Sequence, residues 1–231
     1  VFINLLVISS SCASSVNAEN SPQIAVPACS VTNQNDVPYI PFDQLSPSDI
    51  ASFLGWVRDS HRSTLCGGRY VNSSNIINTP TPRAMQDTPM NITANKPAFF
   101  TRDGVSVARG DVTLIQPGRE IIADCANFFR DDKTSKIRDA DLVGHVSFRE
   151  HGKLMVAERS NFDFINQVYT SDNGFYRLLS STPSGITNVW GRAKHAVRDV
   201  TEILRMRKAT YSTCPPDATS WHLWSNKLKL D

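Results

Sequence analysis

From about residue 91 onward, apolar and polar positions alternate in short runs separated by turn signals. A period of two is the mark of a half-buried strand. The expected turns are Arg102-Asp103-Gly104, Pro117-Gly118, Asp131-Asp132-Lys133, His151-Gly152 and Ser171-Asp172-Asn173-Gly174, which leave room for strands of roughly 6–10 residues. Within this stretch three segments look alike. They begin at Ile92-Thr93-Ala94, Ile121-Ile122-Ala123 and Met155-Val156-Ala157, with 29 and then 34 residues between their starts. A second echo, Gly110-Asp111-Val112-Thr113 and Gly144-His145-Val146-Ser147, recurs at 34. Such a period predicts stacked β-units that bury a shared interior.

Side chains alternate across a strand. Ile92 and Ala94 therefore share a face, as do Ile121, Ala123 and Cys125, and Met155 and Ala157. Val112 with Leu114, and Val146 with Phe148, form matching sets on the intervening strands. These faces line either an ordinary packed core or a lipid-accessible groove. The pattern alone leaves both open.

The pattern changes ahead of residue 91. Ser46 can cap a helix, Pro47 suits its first position, and Asp49 stands three residues after the cap. Ile50, Phe53, Leu54 and Val57 then fall on one face, so an amphipathic helix is expected over 46–66. Residues 19–45 are rich in Asn, Ser, Pro and Gln and read as a flexible leader. Residues 67–90 read as an irregular linker. Residues 1–18 read as part of a signal peptide, with an apolar run Val1–Ile8 and small residues at Val16-Asn17-Ala18.

Composition narrows the classes. A length of 231 residues with 40% hydrophobic content supports one domain with a core, and a formal charge of +2 speaks against a nucleic-acid binder. Export places Cys29, Cys66, Cys125 and Cys214 in an oxidising compartment, where four cysteines allow three full pairings. The sequence has no Cys-x-x-Cys and no His at zinc-ligand spacing from a Cys, so neither a metal nor a cofactor is expected. Cys125 is expected as a buried free thiol.

The repeat, an Ile/Val-x-Ala start followed by a Gly-x-Val strand, resembles the OstA-like module of the lipopolysaccharide transport proteins LptA, LptC and LptD. Cys66-Gly67-Gly68-Arg69-Tyr70 and Ser212-Thr213-Cys214-Pro215-Pro216-Asp217-Ala218-Thr219-Ser220-Trp221 are similar to the opening and closing segments of the LptD periplasmic domain. The likeness covers about residues 46–231. It implies a mainly β fold, an open OstA/LptA-like jellyroll of V-shaped antiparallel sheets over 91–231, with one short N-terminal helix. It further implies a periplasmic place at the inner face of the outer membrane. The groove would take the acyl chains of lipopolysaccharide and would be lined by Ile92, Ala94, Val112, Leu114, Ile121, Ala123, Cys125, Val146, Phe148, Met155 and Ala157. The implied partners are an LptA-like bridge protein paired edge to edge, and an outer-membrane barrel with an LptE-like lipoprotein in the full-length protein. In that family Cys66 and Cys214 match cysteines that bond to a pair in the barrel. With no barrel strands in this sequence, a Cys66–Cys214 disulfide is one expectation, and a fragment or split gene product is another.

The five histidines, His61, His145, His151, His195 and His222, accompany no Gly-x-Ser-x-Gly, so no hydrolytic triad is expected. Asp124 and Glu158 occupy equivalent repeat positions and read as solvated strand residues. Residues 192–208 carry an excess of four positive charges, read as a solvated sheet face or a patch for lipid A phosphates. The competing class is an exported β-solenoid that binds or cleaves polysaccharide. It would need a row of carboxylates or aromatics, and Trp190, Trp221 and Trp224 are its candidates.

Overall fold

The computed structural model describes residue 29 and residues 41–58, 68–71, 88–96, 98–99, 105–134, 136–183, 185–201, 203–218 and 221–230. The expected signal peptide, most of the leader, Cys66 and most of the linker lie outside the described residues.

A short helix α1 (Pro47–Phe53) precedes a two-stranded ribbon of β1 (Trp56–Arg58) and β2 (Gly68–Tyr70). Then come β3 (Asn91–Thr93), β4 (Val105–Gln116), β5 (Arg119–Arg130), β6 (Ile137–Glu150), β7 (Lys153–Asp163), β8 (Val168–Thr182), β9 (Gly185–Arg198), β10 (Leu204–Tyr211) and β11 (Leu223–Leu230). β3 to β11 form one open antiparallel sheet in strict chain order, with β3 and β11 at its edges. Each strand pairs only with its sequence neighbours, the arrangement that short hairpin turns favour.

The strands run to 15 residues, longer than the expected 6–10. The reason lies at mid-strand. Gly110 and Asp111 have φ of 75° and 44°, and Gly144 and His145 have 75° and 39°. The strand register shifts between Arg109 and Val112, between Ile122 and Cys125, and between Val143 and Val146. The Gly-x-Val echo is thus a row of bulges, where glycine supplies the left-handed turn that bends a continuous strand. Ser171-Asp172-Asn173-Gly174, expected as a turn, lies inside β8, where the ladders to β7 and β9 keep their register. Asn173 takes φ 52° inside β8, and the hairpin turn falls at residues 164–167 instead.

Contacts across the sheet show what the bends achieve. Glu150 ends β6 opposite Lys153, the first residue of β7, while Arg198 lies beside Tyr169 and Leu204 at the far end of the neighbouring strands. β7 is 11 residues long, about 35 Å if straight. Yet Arg198 Nη2 sits 2.6 Å from Glu150 Oε2, and the Phe148 and Tyr169 rings lie 4.3 Å apart. The sheet therefore doubles over along the bulge row into two leaves, and their free ends meet at a mouth.

The helix is shorter than the expected 46–66. Its capping box is formed, with Ser46 and Asp49 bonded reciprocally. It stops because Gly55, at φ 75°, turns the chain and its carbonyl accepts from Val71 N–H. Val57, expected on the apolar helical face, lies in β1 and is 44% exposed. Ile50 and Leu54 pack with Phe42 on Leu154, Val156, Phe175 and Trp190, on the outer face of β7, β8 and β9. Arg177 pins the junction, donating to the carbonyls of Leu54 and Val71 at 2.8 and 3.1 Å.

Candidate functional site: the interior between the leaves

One apolar cluster fills the space between the leaves. It takes in Ile92, Val112, Leu114, Ile121, Ala123, Val146, Phe148 and Met155, eight of the expected lining residues, with Ala94 partly buried against it. The cluster reaches from Met90 beside β3 to Leu228 and Leu230 on β11, so it crosses the sheet from edge to edge. Ala157 is fully buried between Met155 and the bend. Ala108, Ala126, Phe128, Ala140, Leu142, Phe162, Tyr169, Ala196, Leu204 and Met206 supply the second leaf. Sequence reasoning missed these because the bulges break the alternation that identified the first leaf.

Cys125 does not belong to this interior. Ile121 and Ala123 point inward, but past the bulge Ala126 and Phe128 do, so the parity of β5 switches and Cys125 faces outward. It is neither groove-lining nor a free thiol. It forms a disulfide with Cys29, with the Cα atoms 5.9 Å apart. Cys214 is buried near the last hairpin, where its carbonyl accepts from Trp190 Nε1–H. Its expected pairing with Cys66 involves a residue outside the described ones.

The outer ends of the bulge row carry polar pairs that stay partly exposed to solvent. Asp124 meets His145 at 2.8 Å, Asp172 meets His195 at 2.7 Å, and Asp141 meets Arg159 at 2.7 Å. Glu158 accepts the amide N–H of Phe42. Asp124 and Glu158 are thus half-exposed strand residues that hold separate partners and do not form a carboxylate pair. The hydrogen bond that His145 donates to the Asp124 carboxylate raises the pKa of His145 above its ordinary value, against a smaller opposing effect of burial.

At the mouth, four polar side chains are buried. Arg119 Nε and Nη2 each lie 2.9 Å from Glu150 Oε1, and Arg119 Nη1 donates to Gln167 Oε1 at 2.7 Å. Arg198 joins the other carboxylate oxygen of Glu150. The guanidinium of Arg119 stands 5.5 Å over Phe148 and 5.0 Å over Phe162, and that of Arg198 stands 5.8 Å over Phe148. Arg198 is accordingly not part of a solvated basic face. Arg192 is also engaged, donating to the Phe42 carbonyl and lying 4.8 Å over Phe175. The tryptophans form no row: Trp190 is buried, whereas Trp221 and Trp224 are exposed, Trp224 on the β11 edge.

No family model matches the chain. Over 187 residues it is 34% identical to the LPS-assembly protein LptD of Coxiella burnetii (strain RSA 493 / Nine Mile phase I), a match that covers 79% of this chain. The chain is homologous to LptD over most of its length. The LptD proteins of Legionella pneumophila (strain Paris), at 28%, and of Pseudomonas entomophila (strain L48), at 26%, align over 78% and 80% of it. The chain spans about a fifth of the length of these LptD relatives, 21% of the Coxiella protein. Among solved structures it is similar to LptH from Pseudomonas aeruginosa, with TM-score 0.45, 14% identity, and coverage of 55% of this chain and 86% of that one. No helix among the described residues is long and apolar enough to cross a membrane.

Proposed function

We propose that this chain is the periplasmic, lipid-carrying part of an LptD-type assembly protein. The observation that carries the reading is the apolar interior that runs from β3 to β11, within a stretch homologous to LptD. Acyl chains placed between the leaves would gain about 0.8 kcal/mol for each buried methylene, which calls for no catalytic group. In the structure the leaves meet and their own side chains fill the interior, so entry of lipid requires the leaves to part at the mouth.

The two edge strands fit this role. β3 has only three residues, and β11 presents Leu223 and Trp224, each 61% exposed. An open edge that offers backbone groups invites another strand to continue the sheet. In this reading an LptA-like bridge protein pairs with one edge, a barrel with its LptE-like lipoprotein lies beyond the other, and lipopolysaccharide passes along the joined interiors.

Photo-crosslinking tests the reading directly. A photoreactive residue at position 114 or 148 is expected to capture lipopolysaccharide, whereas one at Thr113, which faces outward on β4, is not. Capture from position 113 alone would sink the lipid-carrying role.

A further inference from the structure

A line of cations crosses the outer face of the second leaf and ends at an open edge. His195 on β9 lies directly opposite Arg207 on β10, and Arg207 lies directly opposite Lys227 on β11. The line starts at Asp172 on β8, which meets His195 at 2.7 Å. It stops at Lys227, because β11 is the last strand of the sheet. Leu204 and Met206 belong to the interior, and Leu228 and Leu230 pack against it, so Arg205, Arg207, Lys227 and Lys229 point outward. Arg207 and Lys227 are exposed, and among the described residues neither meets a carboxylate. Asp199 serves Arg205 instead.

Like charges directly opposite on a ladder, with Cβ atoms about 5 Å apart, destabilise it. Lysine on an edge strand guards against unwanted pairing, which accounts for Lys227 and Lys229. It does not account for Arg207, which lies one strand in. A second copy of the chain offers no relief. Two β11 edges would set lysine against lysine, and β3 presents only Asn91 and Thr93 outward, with Ile92 in the interior.

The lattice of the sheet says what would relieve it. A strand added beyond β11 lies about 4.8 Å away and repeats each face about every 7 Å. A carboxylate opposite Lys227 closes the line with the sign of charge on which it starts at Asp172. A second carboxylate, two residues along, meets Lys229. The residue between them sits beside Leu228, over the interior, and must be apolar.

Building on the edge-pairing reading, we propose that β11 is continued by a strand of an acidic partner protein, in which carboxylates facing Lys227 and Lys229 alternate with apolar residues. The backbone of β11 supplies the bonds, and the line of cations supplies the choice of partner. The same line turns away basic strands and further copies of this chain.

The test uses the 231-residue chain and three peptides that alternate Val with Glu, Ser or Lys, each eight residues long like β11. Anisotropy of the labelled peptides gives affinities at low salt. One opposite-charge pair across strands is worth up to about fivefold, so the Glu peptide should bind on the order of tenfold more tightly than the Ser peptide. High salt should shrink that advantage. The paired change Lys227→Glu with Lys229→Glu should invert the order, so that the Lys peptide binds best. The fold tolerates this change, since the new carboxylates face Arg207 and Arg205, and thermal melts verify it. Hydrogen exchange at the β11 amides should slow when the Glu peptide is bound. Equal affinity for the Glu and Ser peptides overturns the acidic partner and leaves edge pairing standing. Failure of all three peptides to bind overturns pairing at the β11 edge as well. Binding of the Glu peptide with unchanged β11 exchange overturns the added strand. Phosphatidylglycerol vesicles that bind where the Glu peptide does not, and are released by the paired change, overturn the protein partner and assign the line to a membrane surface.

Discussion

Cys29 is bonded to Cys125 across 96 residues of sequence, and its amide donates to Asn127 Oδ1 at 2.9 Å. The bond fastens the segment ahead of the helix to the outer face of β5. A cross-link closing so long a loop restricts the unfolded chain, worth up to about 4–5 kcal/mol in the loop-entropy account. Cys29→Ser should therefore lower the thermal midpoint by several degrees, about 2–4 °C for each kcal/mol lost in a chain of this size. Thermal melts of the two forms check it, and an unchanged midpoint would count against the bond.

The bends in the strands make a second expectation. A Cβ at Gly110 would lie 2.8 Å from Lys96 Cγ, and the backbone there has φ 75°. Gly110→Ala should cost about 1–2 kcal/mol from the left-handed conformation alone, before any clash. Denaturant unfolding measures the loss. Val107→Ala on the same strand offers a control that removes side-chain volume without touching the bend.

Leu54 is fully buried against the outer face of the sheet. Leu54→Ala should cost about 2–5 kcal/mol of local stability. Helix α1 makes its apolar contacts there, so its amides should lose protection in hydrogen exchange before those of β6 and β7 do. Simultaneous loss along helix and sheet would show that the two open as one unit.

His145 should give the fold a pH dependence. Its raised pKa means that the folded state holds the proton more tightly than the unfolded chain does. The stabilisation is complete below the ordinary value of 6.5 and is lost as pH rises through the higher folded value. The thermal midpoint should thus decline over that window. Asp124→Asn, which removes the hydrogen bond responsible, should flatten the decline. An unaltered slope in the variant would point to another titrating group.

Much of the fold was legible because its signals are local. The capping box at Ser46 and Asp49, the turns at Pro117-Gly118 and His151-Gly152, and the inward faces of Ile121 and Ala123 all depend on residues within a few positions of each other. The bulges were not legible as such. Asn173-Gly174 carries the same residue chemistry in a bend as in a hairpin turn, and only the partner strand decides between them. That ambiguity shortened the strand expected there, while the register shift between Ile122 and Cys125 hid the second leaf and turned Cys125 to the outer face. The mouth was hidden for a different reason. Arg119 and Glu150 face each other across the β5–β6 ladder, but Arg198 reaches them only because the sheet folds over, so no spacing rule connects the three.

The strict succession of β3 to β11 has a kinetic consequence. Every ladder in the large sheet is closed by its sequence neighbour, so the contact order is low for an all-β protein. Each hairpin can form as soon as its two arms exist, and the sheet can grow from one end without waiting for the other. Some connections cannot follow that schedule. The bond from Cys29 to Cys125 and the meeting of Glu150 with Arg198 both span long stretches of chain. They are expected to form after the ladders they fasten, as the slow closing steps of an otherwise sequential assembly.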